Sequence, residues 1–452
     1  MENELIIISS ACVLLLSFYI FRYAAGSMSL YKLNMISYNY YVQLIIYSFI
    51  GATLVALDLS DHYVINRFPN HDFRLMIWGI IAYAILSTGI GMMLFQKSFF
   101  HISNKLIRKS LLNYHLEWQR NTSQHDFYIL LTFSFIAMTG VVYTYYCLEK
   151  LPWLYFLMGA VNEAAEARIQ AGRHFAGIEY IKNILALGLT PILCYVAYCY
   201  KFRYKDIRFK ALFCTLFISS VMILIYNSEK APILMFFIGF LMLDVLLKGR
   251  IKRSYFIATG GLVFALVIGM YMLLGTDADV FLSINSGPLG RIFQSQVEGM
   301  YVHFYIFPDI YPFLDGAGLP GSIATLLGFD KHLDSARIAM EYMRPAAIAN
   351  DTAGVINTLF VGEAWANFGW IGVTIAPFIV GVYWNFLYVI FTHYLPKHPF
   401  FMGLYAYTCL HFPLTGGFIS LLINPGYWGL AILIVAMYRM RNIHFYKGRI
   451  HE

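Results

Sequence analysis

Apolar residues in this chain come in runs of about 17 to 23, set apart by short polar connections, and runs of that length cross about 30 Å of hydrocarbon at about 1.5 Å per residue. The pattern predicts membrane helices near 5–23, 38–58, 75–96, 128–148, 181–200, 211–227, 231–247, 255–275, 369–391, 400–416 and 418–438. Pro191, Pro377 and Pro425 fall within these runs and are expected to kink their helices, because proline lacks the N–H that the ladder needs. Tyr38, Tyr40, Tyr41, Tyr145 and Tyr146 sit at run ends, where a phenol can keep its ring in lipid and its hydroxyl in water. No internal repeat, low-complexity tract or flexible linker interrupts the pattern. The chain is therefore read as one all-α polytopic integral membrane domain covering residues 1–452, with about 11 transmembrane helices.

Composition supports that class. The 452 residues are 59% hydrophobic and only 13% charged, whereas soluble domains carry about 25% charged residues. The six cysteines lie inside or at the ends of apolar runs and form no CxxC or Cys/His cluster, which argues against both a zinc site and a disulfide framework. The N-terminus has neither a basic n-region nor a small-residue cleavage site, so 5–23 is expected to be a retained helix.

The net charge of +7 would suit nucleic acid, but its placement does not. Most Lys and Arg fall in alternate connections, such as Lys97, Lys105, Arg108, Lys109 and Arg120, then Lys201, Arg203, Lys205, Arg208 and Lys210. The positive-inside rule puts these connections in the cytoplasm. The N-terminus is then outside and the C-terminus inside, which requires an odd number of helices. Two outer segments stand out, about 149–180 and about 276–368. The second far exceeds the roughly 2–8 residues that a helix connection needs, and its apolar stretches place it on the membrane surface.

Those two segments hold the candidate chemistry. Arg168 and Arg173 lie in a Glu- and Ala-rich helical run, and Arg291 and Arg344 in the large loop. Arg offers a planar fork of donors suited to phosphate oxygens. The plainer reading pairs Arg168 and Arg173 with Glu163 and Glu166, and Arg291 and Arg344 with Glu298 and Glu341. Lys230 adds a cation in the Ser228-Glu229-Lys230 turn, which is also an ordinary polar hairpin tip. Arg337 is a weaker candidate because Asp334, three residues earlier, can pair with it, and Asp244 is set aside because Lys248 follows by four. Glu363, His303 and Asp351 are the candidate bases: carboxylates at a membrane helix start are costly unless paired or working. A lone His among apolar residues is more often a satisfied structural group.

With these residues in view, the chain resembles the Wzy-type O-antigen polymerases, which join oligosaccharide repeat units. The likeness lies in helix number, topology and the large outer loop. At motif level it lies in Arg168…Gly172-Arg173…Gly177 and in Asn357 to Gly372, with Gly362-Glu363-Ala and Asn367-Phe368-Gly369. The resemblance implies a glycosyltransferase of the bacterial inner membrane with a periplasmic active side. Its partners would be undecaprenyl-pyrophosphate-linked oligosaccharide, membrane lipid and a chain-length regulator, with no nucleic acid. The growing glycan would move from its lipid carrier to an incoming lipid-linked unit. Arg168, Arg173, Arg291, Arg344 and Lys230 would hold pyrophosphate and glycan, and Glu363, His303 or Asp351 would act as base. No metal and no cofactor is expected. The related O-antigen ligases carry a His late in the large loop. Around Asn357 this chain has none, which counts against a ligase. A lipid-linked oligosaccharide flippase would have similar helices but short loops.

The charge asymmetry makes topology testable. Reporter fusions at residues 115, 205 and 445 are expected to read cytoplasmic, and those at 165 and 330 periplasmic. A cytoplasmic signal at 330 would overturn the sidedness.

Overall fold

A computed structural model of the chain describes residues 2–118, 123–272, 283–319, 325, 328, 333–349, 354–411 and 413–441. Among these the protein is helical, with one isolated parallel bridge between Thr358 and Gly416. By length and composition, nine helices among the described residues can cross a membrane. The chain divides into two compact units, residues 1–112, 251–394 and 411–423, and residues 113–250, 395–410 and 424–452.

The first unit is built on α1 (Glu2–Ala25), α2 (Met35–Ala56) and α3 (His71–Ser98). α3 packs against α16 (Phe360–Val389) at very close range. A side chain at Gly381 would meet the Thr88 carbonyl carbon at 3.0 Å and one at Gly91 the Phe378 oxygen at 2.8 Å, so only glycine lets these backbones touch. A polar contact fastens this apolar interface, Asn385 donating to Gln96 Oε1 at 3.1 Å, and Tyr388 ties α16 to α1 by donating to the Ala25 carbonyl at 2.8 Å. The middle of α2, Asn39–Phe49, is wound as a π-helix, with Asn39 and Gln43 buried inside the unit.

The second unit contains α5 (Asp126–Tyr146), α6 (Pro152–Leu157), α7 (Val161–Arg173), α8 (Ile181–Arg203), α9 (Ile207–Ile225), α10 (Lys230–Lys248), α17 (Pro399–Leu410) and α19 (Pro425–Met440). Its polar hub is Asp126, 1% exposed. That carboxylate accepts from Arg441 Nε at 2.6 Å and from the Tyr200 hydroxyl at 2.6 Å, and lies 3.2 Å from His398 Nε2. Asp244 accepts from Lys248 at 2.7 Å, one turn on, as their spacing predicted.

The first unit also holds α11 (Arg253–Met272), α12 (Gly287–Phe293), α13 (Glu298–Ile306), α14 (Ser335–Met343), α15 (Pro345–Ala349) and α18 (Phe418–Leu422), and α4 (Asn104–Glu117) carries the chain out of it. The large 276–368 segment is thus folded into short helices where it is described. Three expectations need correction. The run 400–416 is helical only to Leu410, since Pro413 and the Gly416-Gly417 pair cannot extend it. Pro425 opens α19 at its first turn, with Asn424 accepting the Tyr427 N–H at 3.0 Å, and so kinks nothing. The break in α16 falls at Gly369, whose φ of 55° and ψ of −140° suit glycine, while Pro377 lies within the helix beyond it. Glu363 therefore sits on a short helix ahead of that break.

Asp126 gives a stability test. Replacing Asp126 with Ala removes the shared acceptor of Arg441 and Tyr200, and is expected to cost about 3–5 kcal/mol in detergent unfolding. A loss under about 1 kcal/mol would mean the hub is structurally idle.

Candidate functional site

In the first unit an irregular segment, 413–417, precedes α18, and its backbone must find partners nearby. The Leu414 N–H donates to Gln43 Oε1, and Gln43 is itself held through Asn39 Oδ1 at 2.6 Å. The Leu414 carbonyl accepts from the Phe360 N–H at 2.8 Å. Two residues on, Gly416 bridges to Thr358. Glu363, in the first turn of α16, accepts the Ile419 N–H on Oε2 at 3.0 Å. Gly417 has φ of 109°, and a Cβ there would stand 2.5 Å from Glu363 Oε2, so the turn closes tightly on the carboxylate.

These bonds form one side of a cavity of about 340 Å³. Residues 355–358, the start of α14 and Gly318 line it on other sides. Its polar lining among the described residues is Asp334, Ser335, Asn357, Thr358, Glu363, Thr415 and Ser420, with Val355, Ile356 and Ile423 among its apolar walls. Residues bearing two carboxylates, hydroxyls and an amide line this space, and none of the described lining residues is basic. Asp334 caps α14 by accepting the Ala336 N–H at 2.9 Å, which places Ser335 at the first helical position. Asp334 thus acts as a cap. Arg337, expected to pair with it, donates to the Gly354 carbonyl at 3.2 Å, beside the Val355 wall.

His303 lies behind this wall, fully buried on α13. Its Nδ1 is 2.7 Å from the Gly299 carbonyl, and its Nε2 is 3.2 Å from Ser335 Oγ. A carbonyl only accepts, so Nδ1 carries the proton. Nε2 then accepts from the Ser335 hydroxyl. Burial lowers His303 to about 4, opposed by the Gly299 carbonyl and the Asp334 charge, and the ring is neutral at physiological pH.

A second buried cluster occupies the same unit. His62 Nδ1 stands 3.5 Å from Glu298 Oε2, and His62 Nε2 3.2 Å from Ser295 Oγ. Glu298, expected as a surface partner of Arg291, is instead 8% exposed on α13. Burial pushes its carboxyl up to about 8. Burial, then the nearby Arg344 charge, lowers His62 to about 4. Both groups are neutral at pH 7.

The predicted site residues separate accordingly. Glu363 lines the cavity directly, and His303 reaches it through Ser335. Asp351 lies outside the described residues. Arg344 is exposed, with its guanidinium 5.0 Å above the Tyr63 ring, and Arg291 is exposed on α12. Arg168, Arg173 and Lys230 belong to the second unit, where Arg168 lies 3.9 Å from Glu229 and Glu166 pairs with Lys150 at 3.3 Å. Sequence reasoning missed Ser335, Ser420 and the capping role of Asp334. Asp-Ser at a helix start was a readable cap signal, whereas nothing local marks Ser420.

The fold and cavity define the class: an all-helical polytopic membrane protein with a polar pocket walled by irregular chain. Compared with known proteins, the chain matches no family model, no curated protein and no solved structure.

Glu298 predicts a pH dependence. Its raised value means that the stability from its protonated form is fully present below about 4.5 and is lost as the pH rises through about 8. His62 has the opposite sign, with its contribution present above 6.5 and lost as the pH falls toward about 4. Between pH 6.5 and 8 only Glu298 contributes. Wild-type Tm is therefore expected to fall across that window, and Glu298→Gln to flatten the fall. Parallel curves would contradict the assignment.

Proposed function

We propose that this chain is a polymerase of polyprenyl-pyrophosphate-linked oligosaccharide repeat units, of the O-antigen polymerase kind, and that the cavity beside Glu363 receives the acceptor sugar. The observation that carries this reading is the cavity's lining. Carboxylates, hydroxyls and an amide, with no basic residue among the described lining, suit a neutral polyol, whose hydroxyls donate to Asp334 and Glu363 and exchange bonds with Asn357 and Ser420. In this reading the chain crosses the inner membrane eleven times, N-out and C-in, and the 276–368 segment faces the periplasm. An acceptor hydroxyl attacks the anomeric carbon of the growing glycan. The bond from that carbon to the pyrophosphate oxygen breaks, and the lipid pyrophosphate leaves with the electron pair. Cations that hold this leaving group lower the barrier. Arg291 and Arg344, exposed on the same large segment as the cavity's α14, are assigned that work. Glu363, already engaged with the 417–419 turn, orients the acceptor.

Cells lacking the chain are expected to carry lipopolysaccharide of core plus one repeat unit. Bare core would mark a ligase, and unchanged banding would remove O-antigen as the product. Ala at Arg291 or Arg344 is expected to cut polymerisation by about 100-fold or more while the protein still accumulates. Lys at the same positions restores only part, because it loses the bidentate fork. Full activity in every Arg variant would remove the anion-holding role.

A further inference from the structure

We infer that Ser335 is the residue that takes the proton from the acceptor hydroxyl, passing its own proton to His303 behind it. The inference rests on the cavity being the acceptor site proposed above. Its basis is the way three elements meet. Gly299 lets α13 lie against the 356–357 backbone, since a Cβ there would stand 2.9 Å from the Asn357 carbonyl carbon and from the Ile356 side chain. His303, one turn further along α13, is thereby set behind the cavity wall. The Asp334 cap sets Ser335 at the start of α14, on that wall and 2% exposed.

Direction follows from the acceptor on the far side. The Gly299 carbonyl at 2.7 Å requires the proton on Nδ1. The lone pair of Nε2 therefore faces Ser335 Oγ at 3.2 Å, and the hydroxyl hydrogen is committed to it. The oxygen lone pairs of Ser335 remain for a donor from the cavity, and an acceptor-sugar hydroxyl is such a donor. Glu363, the rival, already accepts the Ile419 N–H at 3.0 Å and holds a turn.

The step balances. As the acceptor oxygen bonds to the anomeric carbon, its proton moves to Ser335 Oγ and the Ser335 proton moves to His303 Nε2. The lipid pyrophosphate departs with the electrons of the broken bond. The enzyme is left with a neutral serine and an imidazolium, whose Nε2 proton returns through Ser335 Oγ to water in the cavity as product leaves. The Gly299 carbonyl and the Asp334 carboxylate are the groups that favour this imidazolium against burial. Ser335 is thus a catalytic residue that touches substrate, and His303 acts through it.

The test uses the full-length chain in lipid nanodiscs. The probe is the lipid-linked oligosaccharide that accumulates in cells lacking the chain. Ser335→Ala is expected to lower kcat by about 100-fold or more, within the usual range for a general base, and to leave KM within about twofold. Ser335→Thr keeps the hydroxyl and should recover most of the rate. His303→Gln should fall as far as Ser335→Ala, and the double variant no further, because members of one relay act as a unit. A merely structural contact would give losses that multiply, or a threonine variant no better than alanine, and either result overturns the relay. Wild-type kcat in Ser335→Ala overturns it too, while leaving the polymerase reading intact. A wild-type chain that makes no polymer from this probe overturns both. Should Ser335→Ala fail to fold, wild-type kcat in His303→Gln overturns the relay, and a loss of about 100-fold or more there with most of the rate kept in Ser335→Thr supports it.

Discussion

Inside hydrocarbon, a backbone N–H or carbonyl must find its partner within the protein, and this requirement governs the first unit. Most of the chain meets it by being helical. The 413–417 segment does not, and its Leu414 backbone depends on two partners brought from elsewhere, the Gln43 side chain for its N–H and the Phe360 N–H for its carbonyl, while Glu363 takes the Ile419 N–H just beyond it. Gln43 projects from the π-helical turn of α2, where it is itself buried and bonded to Asn39. Removing the Gln43 amide would strand the Leu414 N–H, at a cost of about 1–3 kcal/mol. The irregular segment persists because each of these groups is supplied.

The cavity follows from that arrangement. Chain held away from helical geometry leaves room beside 355–358 and α14, and the polar groups that line it are those the apolar surroundings have not absorbed. A pocket with two carboxylates and no cation among its described lining residues is poorly matched to pyrophosphate and well matched to sugar hydroxyls. In the proposed reaction, acceptor recognition and charge stabilisation therefore fall to different residues: the first to the cavity wall, the second to exposed arginines.

Hydropathy made the helical class and most spans legible, since runs such as 75–96 and 128–148 coincide closely with α3 and α5. Where it misjudged, the cause was local. Apolar composition continues through Pro413 and Gly416, so periodicity did not reveal that α17 stops at Leu410. Glu363 was readable because a carboxylate among Gly, Ala and Trp at a helix start is costly. Ser335 was not, because its significance depends on His303, which is brought beside it by the packing of α13. Glu298 was misread for a similar reason: it follows Arg291 in sequence, but the fold turns it toward His62.

The central claim is that the cavity beside Glu363 holds the acceptor end of a lipid-linked oligosaccharide. The most direct measurement is photocrosslinking of the reconstituted chain with a lipid-linked oligosaccharide bearing a diazirine on its terminal acceptor sugar, followed by peptide mapping. The account predicts adducts on residues 334–336, 355–358 and 419–423, competed by unlabelled oligosaccharide. Competable adducts confined to other parts of the chain would contradict it.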